Sequence, residues 1–486
     1  MIRGLTSIHR WLAIPLAPFL AMWFASGIVM HVVPFPRLTE AERVAGLVPL
    51  DLSRAAKRPA DAVAASRIGE AARVRLVQRS DGPVYVVDGR SGVAALHADD
   101  LSPAPVTAPD LARAIALDHA RQRGLSIEAA GDAQALARDQ WTVAGDLDRH
   151  RPLYRVALND DAGTELYVSG TTGEVVRDTI RRERWWNALG SIPHWLYPTP
   201  LRGRPRLWTA LLWSVSLAAT IAALAGSVLG IVQISRQAGG LAAAYRGWHC
   251  WHHLGGLVCM VFVLAWTLSG WLSMDDGRLF PGAQLTSAEA AVLTEAHAPA
   301  AWPRLDARRS AGSIREIEWF WWDGTLYERD RLAFDRQRVG PAGSVADAVT
   351  SRFGVLTAND MALLARRLGP RCAISVVDAR ADAYAAPASM PDAPVYRLAC
   401  DDVWFHIDGA SGALIERVDP SRRAYRWLWR ALHTWDVPAL IAHPALRTAL
   451  IVGLCGCGLA FSLTGCVIGW RRLCVTLSGS KDRPAG

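Results

Sequence analysis

The sequence predicts a membrane α-helical bundle of four transmembrane helices carrying two α+β extracytoplasmic domains, made by duplicating one helix–domain–helix unit. Three observations predict it: four long apolar runs, two long soluble segments between them, and an internal repeat that aligns without gaps. Hydrophobic residues make up 51% of the 486 residues, and the mean hydropathy is +0.13. That is high for a soluble protein and low for a bare bundle of spans. Tryptophan stands out, with 21 copies against 10 Phe and 9 Tyr, and its ring favours the headgroup level of a bilayer.

Residues 11–33 are apolar and carry no formal charge, long enough at about 1.5 Å per residue to cross a hydrocarbon core of about 30 Å. Residues 207–234, 254–272 and 446–470 are the other such runs, the last with Arg447 near its start. Arg3 and Arg10 before the first run, and Ala25-Ser26-Gly27 within it, resemble a cleavable signal. The run exceeds an ordinary signal core and is repeated by an internal span, so an uncleaved anchor is expected. Arg3 and Arg10, Arg236 and Arg246, and Arg471, Arg472, Lys481 and Arg483 flank the short segments. The positive-inside rule places those segments in the cytoplasm and the long loops outside. Arg202, Arg204 and Arg206 end a long loop, where that rule is weak. The expected order is helix 1 at 1–34, domain 1 at 35–205, helix 2 at 206–235 and a cytoplasmic connector at 236–247. Helix 3 at 248–274, domain 2 at 275–444, helix 4 at 445–471 and a cytoplasmic tail at 472–486 complete it.

The repeat has two parts. Arg3-Gly4 through Ser26-Gly27 aligns on Arg246-Gly247 through Ser269-Gly270, placing His9 on His252. Later, Gly226 falls on Gly465, Gly230 on Gly469, Pro205 on Pro444 and His194 on His433. Within the soluble segments, alternating text ending in a Gly-containing turn recurs after Val84, Glu165 and Val403, the pattern of antiparallel hairpins. Helical periodicity covers 109–123 and 359–368, and the Ala/Pro/Asp text at 381–394 reads as loop.

This arrangement resembles the PepSY-associated transmembrane helix family, in which a span precedes an extracytoplasmic PepSY domain and a second span follows it. The resemblance rests on His9-Arg10-Trp11, Tyr154-Arg-Val, Thr172-Gly-Glu-Val175, Trp429-Arg-Ala-Leu-His433, Leu463-Thr-Gly465 and Gly469-Trp-Arg-Arg472. It implies PepSY-like α+β domains and a bacterial inner-membrane location with both termini cytoplasmic and the large domains periplasmic. Some members are ferric-siderophore reductases that bind b-type haem, so it also implies one or two b-type haems.

Eight cysteines occur without C-x-x-C spacing, so neither a zinc ribbon nor covalent c-type haem is encoded. Cys250, Cys259, Cys455, Cys457, Cys466 and Cys474 lie in or beside spans. Cys372 and Cys400 stand alone in a soluble segment, either as a pair, if that segment is oxidised, or as two unrelated buried thiols. The net charge of +8 forms no single stripe, so nucleic acid is not the expected partner.

Of thirteen histidines, His97, His119, His150, His297 and His406 lie in soluble text without partner spacing. His9, His249, His252 and His253 mark the cytoplasmic boundary, and His31, His194, His433 and His443 the outer one. Histidine at a span boundary is costly without a partner, and neutral imidazole is an axial ligand of haem iron. The bland reading is hydrogen bonding to headgroups or loop carbonyls. The repeat nevertheless makes His9 with His252, and His194 with His433, candidate cofactor-binding pairs and haem-iron ligands. His31 is a further candidate whose repeat equivalent is Met274; it is 22 residues from His9, about 33 Å along a helix, so those two cannot share a haem. Span glycines read mainly as helix packing. Trp319, Trp321 and Trp322 suit a strand core or an aromatic platform.

Two functions follow. One is transmembrane electron transfer to an iron chelate, a ferric siderophore in the resemblance, with a quinol or another protein as electron donor. The alternative is a non-enzymatic, membrane-anchored PepSY module that binds a peptide or envelope protein, or regulates a protease. No G-x-S-x-G, H-E-x-x-H or Cys/His constellation supports hydrolysis, and the spans show no coupling-ion site for a transporter.

Overall fold

In a computed structural model the chain separates into two compact units. One gathers residues 1–35, 185–281 and 421–486; the other gathers 36–184 and 282–420. The structure describes residues 2–69, 71–89, 91–127, 131–235, 245–275, 277–282, 284–294, 302, 314–322, 325–342, 356–378, 382–384, 388–390 and 393–478. Most of the expected connector, the end of the tail, His297, Arg236, Lys481, Arg483 and parts of 381–394 lie outside these residues.

The first unit is built on four long helices: α1 (Ile2–Val32), α2 (Pro205–Ser235), α3 (Trp248–Leu272) and α4 (Pro444–Ser478). Each is long and apolar enough to cross a membrane. Helices α1 and α3 each pack against both α2 and α4, closing a four-membered ring. Its core holds Phe24, Cys259, Phe262, Val263, Ile451 and Cys455. The outer faces remain apolar, with Val258 75% exposed and Trp470 70% exposed. Apolar patches of that extent call for lipid rather than water. Pro15 and Pro18 lie inside α1, a placement that membrane helices tolerate when neighbouring helices satisfy the freed backbone groups.

The second unit is α+β, as the hairpin and helix signals predict. The first segment supplies β1 (Ala71–Arg79), β2 (Gly82–Gly89), β3 (Gly92–His97), β4 (Gln134–Leu136), β5 (Leu153–Ala157), β6 (Glu165–Ser169) and β7 (Val175–Thr179). The second supplies β8 (Glu316–Trp322), β9 (Thr325–Ala333), β10 (Arg336–Pro341), β11 (Cys372–Val376), β12 (Val395–Cys400), β13 (Val403–Asp408) and β14 (Leu414–Val418). Each segment closes its own four-stranded antiparallel sheet, β4-β5-β6-β7 and β11-β12-β13-β14. The helices Pro109–Arg123 and Ala358–Leu368 cover these sheets and bury Ala112, Ile115, Met361 and Leu364. Cys372 and Cys400 face each other across β11 and β12 and form a disulfide. Trp319 and Trp322 are buried in strand cores, which settles their reading as core residues.

The sequence placed one domain in each segment; the structure adds a joint between them. Strand β1 pairs antiparallel with β8, giving a six-stranded sheet in the order β10-β9-β8-β1-β2-β3. One face of this sheet is apolar, with Val74, Leu76, Tyr85, Ile317 and Trp319. The other carries charge: Arg75 lies opposite Glu318, which lies opposite Arg329, and Glu316 lies opposite Arg331. The helix Glu40–Ala45 brings Arg43 over this face, where its Nη1 and Nη2 donate to Glu316 at 2.8 and 3.0 Å. Arg75 donates to Glu174 and to Glu316, Arg73 pairs with Glu318 at 2.8 Å, Arg329 pairs with Glu318, and Arg331 with Glu40.

Glu316 is 0% exposed. Burial pushes its carboxyl pKa up, but Arg43, Arg75 and Arg331 more than reverse this and hold it well below the usual range. A carboxylate depressed in this way stabilises the fold above its unfolded value near 4.5, and that stabilisation is lost as pH falls through the folded value. Glu316→Gln removes the buried charge that Arg43, Arg75 and Arg331 share, leaving them only Glu40 and Glu174, and we expect it to cost about 3–5 kcal/mol at pH 7. In thermal melts the gap between wild type and variant should narrow as pH drops below 4.5; a gap independent of pH contradicts the assignment. Alkylation of denatured, unreduced protein should label six of the eight thiols, and all eight after reduction.

Candidate functional site

The polar side chains inside the helical unit are mostly hydroxyls and imidazoles, and they come together at two levels. At one, the rings of His9 on α1 and His252 on α3 stand 6.4 Å apart, centre to centre. At the other, His194 at the end of the short helix Ser191–His194 and His433 in Leu432–Thr434 stand 6.2 Å apart. These are the two pairs that the repeat singles out. Along α1, His9 and the Ser26 beside His194 are 17 residues apart, as are His252 and Ser269 on α3. The two levels are therefore about 26 Å apart along the helices.

Each ring is fixed through Nδ1. His9 Nδ1 lies 2.9 Å from the Ala222 carbonyl oxygen, which can only accept, so Nδ1 carries the proton. His252 Nδ1 lies 2.9 Å from Thr464 Oγ1, whose own proton goes to the Phe461 carbonyl at 2.6 Å. His194 Nδ1 lies 3.0 Å from Ser26 Oγ, which donates to the Met22 carbonyl at 2.6 Å. His433 Nδ1 lies 3.1 Å from Ser269 Oγ, which donates to the Trp266 carbonyl at 3.3 Å. With each hydroxyl proton on its helix carbonyl, all four imidazoles take the same tautomer, with the lone pair on Nε2. Nε2 of each makes no hydrogen bond among the described residues. A bonded Nδ1–H and a free Nε2 lone pair are how a ligating histidine is prepared.

The backbone around His194 and His433 is shaped to match. Trp23 Nε1 donates to the His194 carbonyl and Trp266 Nε1 to the His433 carbonyl, both at 2.9 Å. Two residues past each of these histidines the chain turns through a left-handed residue that is not glycine, Leu196 (φ 45°) and Trp435 (φ 53°). A bulky residue in that region signals a local constraint. Before His433 the helix widens into a π-helical turn, Arg426–Ala431, a feature that concentrates at functional sites.

Four of the span glycines lie against the imidazoles. A Cβ at Gly226 would come within 2.6 Å of His9 Cε1. At Gly465 it would stand 3.4 Å from His252, and at Gly27 and Gly270 it would stand 3.6 Å from His194 and His433. The sequence reading of glycine as helix packing holds for Gly230, Gly458 and Gly469, which face Leu257, Phe24 and Ile14. It misses the link to the histidines, because that contact is between different helices.

The remaining histidines are elsewhere. His31 Nε2 is bound to Thr448 Oγ1 at 2.9 Å, so that nitrogen is occupied. His249 and His253 flank the Tyr245 ring at 6.5 and 5.3 Å rather than joining His252. In the second unit His119 is buried, and desolvation pushes its pKa down to about 3, helped by Arg123 and Arg43. It is a neutral core residue there.

The centroid separation of both pairs matches that of two imidazoles on one metal ion. Metal–imidazole bonds of about 2.0 Å, plus about 1.1 Å from nitrogen to ring centre, put the centroids about 6.2 Å apart. Among the described residues no group of three or more His, Cys, Asp or Glu side chains is arranged to hold a bare metal ion. A macrocycle that supplies the other ligands suits two histidines better than a free ion does. No protein-family model matches the chain, and no curated protein matches it in sequence.

Gly226→Ala should destabilise the detergent-solubilised protein by about 1–3 kcal/mol through overpacking against His9. Gly453→Ala, where a Cβ meets nothing within 4 Å, should be neutral or stabilising by up to about 1 kcal/mol. Paired melting curves read the difference; equal effects refute the close approach.

Proposed function

We propose that this chain is a duplicated, PepSY-like, multi-pass protein of the bacterial inner membrane that holds two b-type haems and passes electrons outward to reduce a ferric siderophore. The observation that carries the proposal is the double pairing of imidazoles at 6.4 and 6.2 Å, each with its Nδ1 proton already bound. His9 and His252 would hold one haem, and His194 and His433 the other. Haem supplies reversible one-electron chemistry. The protein supplies the rest: Ala222, Thr464, Ser26 and Ser269 orient the rings and keep each proton on Nδ1. Apolar side chains such as Phe24, Phe262 and Ile451 keep water out between the two levels. Quinol or a protein donor would serve the cytoplasmic level, where Tyr245, His249 and His253 lie near the start of α3.

The duplication reading is supported by the order of elements. Each half runs from a long helix through a three-stranded hairpin set, a helix and a four-stranded sheet to a short helix carrying a paired histidine, then to a second long helix. The periplasmic placement of the sheets is supported by the Cys372–Cys400 disulfide, since such bonds persist in oxidising compartments. Cys250 and Cys474, near the proposed cytoplasmic ends, are free thiols.

The purified protein, oxidised and then dithionite-reduced, should show sharp reduced α and β bands, with about two haems per chain by pyridine haemochrome. His9→Ala or His252→Ala should remove one haem, His194→Ala or His433→Ala the other, and His31→Ala neither. A featureless spectrum from folded protein made with ample haem would sink the proposal and leave the PepSY binding-module reading.

A further inference from the structure

The charged face of the six-stranded sheet borders an open cleft of about 340 Å³, within the size range of small-molecule sites. It has room for about ten non-hydrogen atoms, judged by the ~30 Å³ share of a liquid water. Both segments build it. Its guanidinium groups are Arg43, Arg73, Arg75, Arg149 and Arg329. Its carboxylates are Glu40, Asp88, Glu174, Glu316 and Glu318. Burial raises the pKa of Glu40, Glu174 and Glu318, and neighbouring arginines outweigh it, so all three stay ionised.

The lining thus carries five positive and five negative groups. A ligand with a single negative charge meets five carboxylates, and a single positive charge meets five guanidinium groups, each repulsion growing in a low-dielectric cleft. An uncharged apolar ligand forfeits the hydration of all ten. A molecule with both signs and no net charge matches the lining. The charge pairing is also incomplete. Arg329, its side chain 4% exposed, gives one nitrogen to Glu318, while its Nε and Nη1 have no partner among the described residues. At the rim Arg149 is 47% exposed, and among the described residues its side chain pairs with Asp88 alone, at 2.6 Å, a contact that a ligand carboxylate and ammonium can replace group for group.

We propose that this cleft binds a small zwitterion of amino-acid to dipeptide size, its carboxylate toward Arg73, Arg149 and Arg329 and its ammonium toward Asp88 and Glu40. The site stands on the second unit alone and does not depend on the haem reading.

The test incubates the full-length protein in detergent with a library of free dipeptides and the twenty amino acids. A matched library, N-acetylated and C-amidated, runs in parallel, and mass spectrometry identifies species retained after size exclusion. Free species should be retained and capped ones not. Calorimetry on the best free species should show binding weakened about tenfold by Arg149→Gln, and likewise by Asp88→Asn, as expected for loss of a charge-assisted hydrogen bond. Both positions lie at the rim, so the variants should melt like wild type. No retention at millimolar ligand, equal retention of the capped library, or variants that bind unchanged would each overturn the proposal. So would acetate binding as tightly as the zwitterion, which would make this an anion site.

Discussion

An imidazole inside a helical bundle has two polar nitrogens and no water to satisfy them, and this constraint organises the membrane unit. Four helices solve it in the same way at two levels. Nδ1 is bound by an acceptor on a neighbouring element, and each ring stands beside a second one, 6.4 and 6.2 Å away centre to centre. An unpartnered buried donor or acceptor costs about 1–3 kcal/mol. An Nε2 without a partner at both levels is a standing loss unless a ligand takes it up. At Gly226 a Cβ would crowd the His9 ring, while at Gly27, Gly270 and Gly465 it would stand in ordinary contact with the other three.

A different solution holds the second unit together. Strand β1 of one segment and β8 of the other bury charge on one face of their shared sheet, and Glu316 answers Arg43, Arg75 and Arg331 at once. Pairs of this kind add little net stability over an apolar seam, but one wrong alignment strands several charges. They select a register. A slip of one residue between β1 and β8 would turn Glu316 and Glu318 into the apolar layer around Trp319 and Leu76. The seam gives two remote stretches of chain one way to join.

What the sequence made legible was whatever repeats at short range. Helical periodicity gave Pro109–Arg123 to the residue, and the apolar runs gave the existence of all four long helices, though α1 begins well before its run and α4 ends well after its own. The Gly-containing turns after Val84, Glu165 and Val403 fall where hairpins close. The histidine pairs were legible because the repeat made them so, at a distance of about 240 residues. The β1–β8 pairing was not, since nothing in Arg73 or Glu318 marks a partner in the other segment, and alternation sees only one strand. The cleft was hidden for the same reason. Thr464 and Ser26 carried no signal as proton acceptors, because hydroxyls facing back into a helix are common.

The two halves differ in the residues that achieve the same geometry. The Nδ1 proton of His9 goes to a backbone carbonyl, while that of His252 goes to a threonine hydroxyl. The carbonyl of Trp195 is bound by the Trp208 indole, and that of Thr434, its counterpart, by the Arg447 guanidinium. Leucine and tryptophan take the same left-handed turn, though neither favours it. If the halves descend from one unit, the residues have diverged while the proton position on each imidazole has not. Packing alone gives no reason for that, because a ring of the same shape fills the same space in either tautomer. A requirement for the Nε2 lone pair does. His31 shows the contrast: it lies on the same helix as His9 and Ser26, but its Nε2 is bound to Thr448 and it belongs to neither pair.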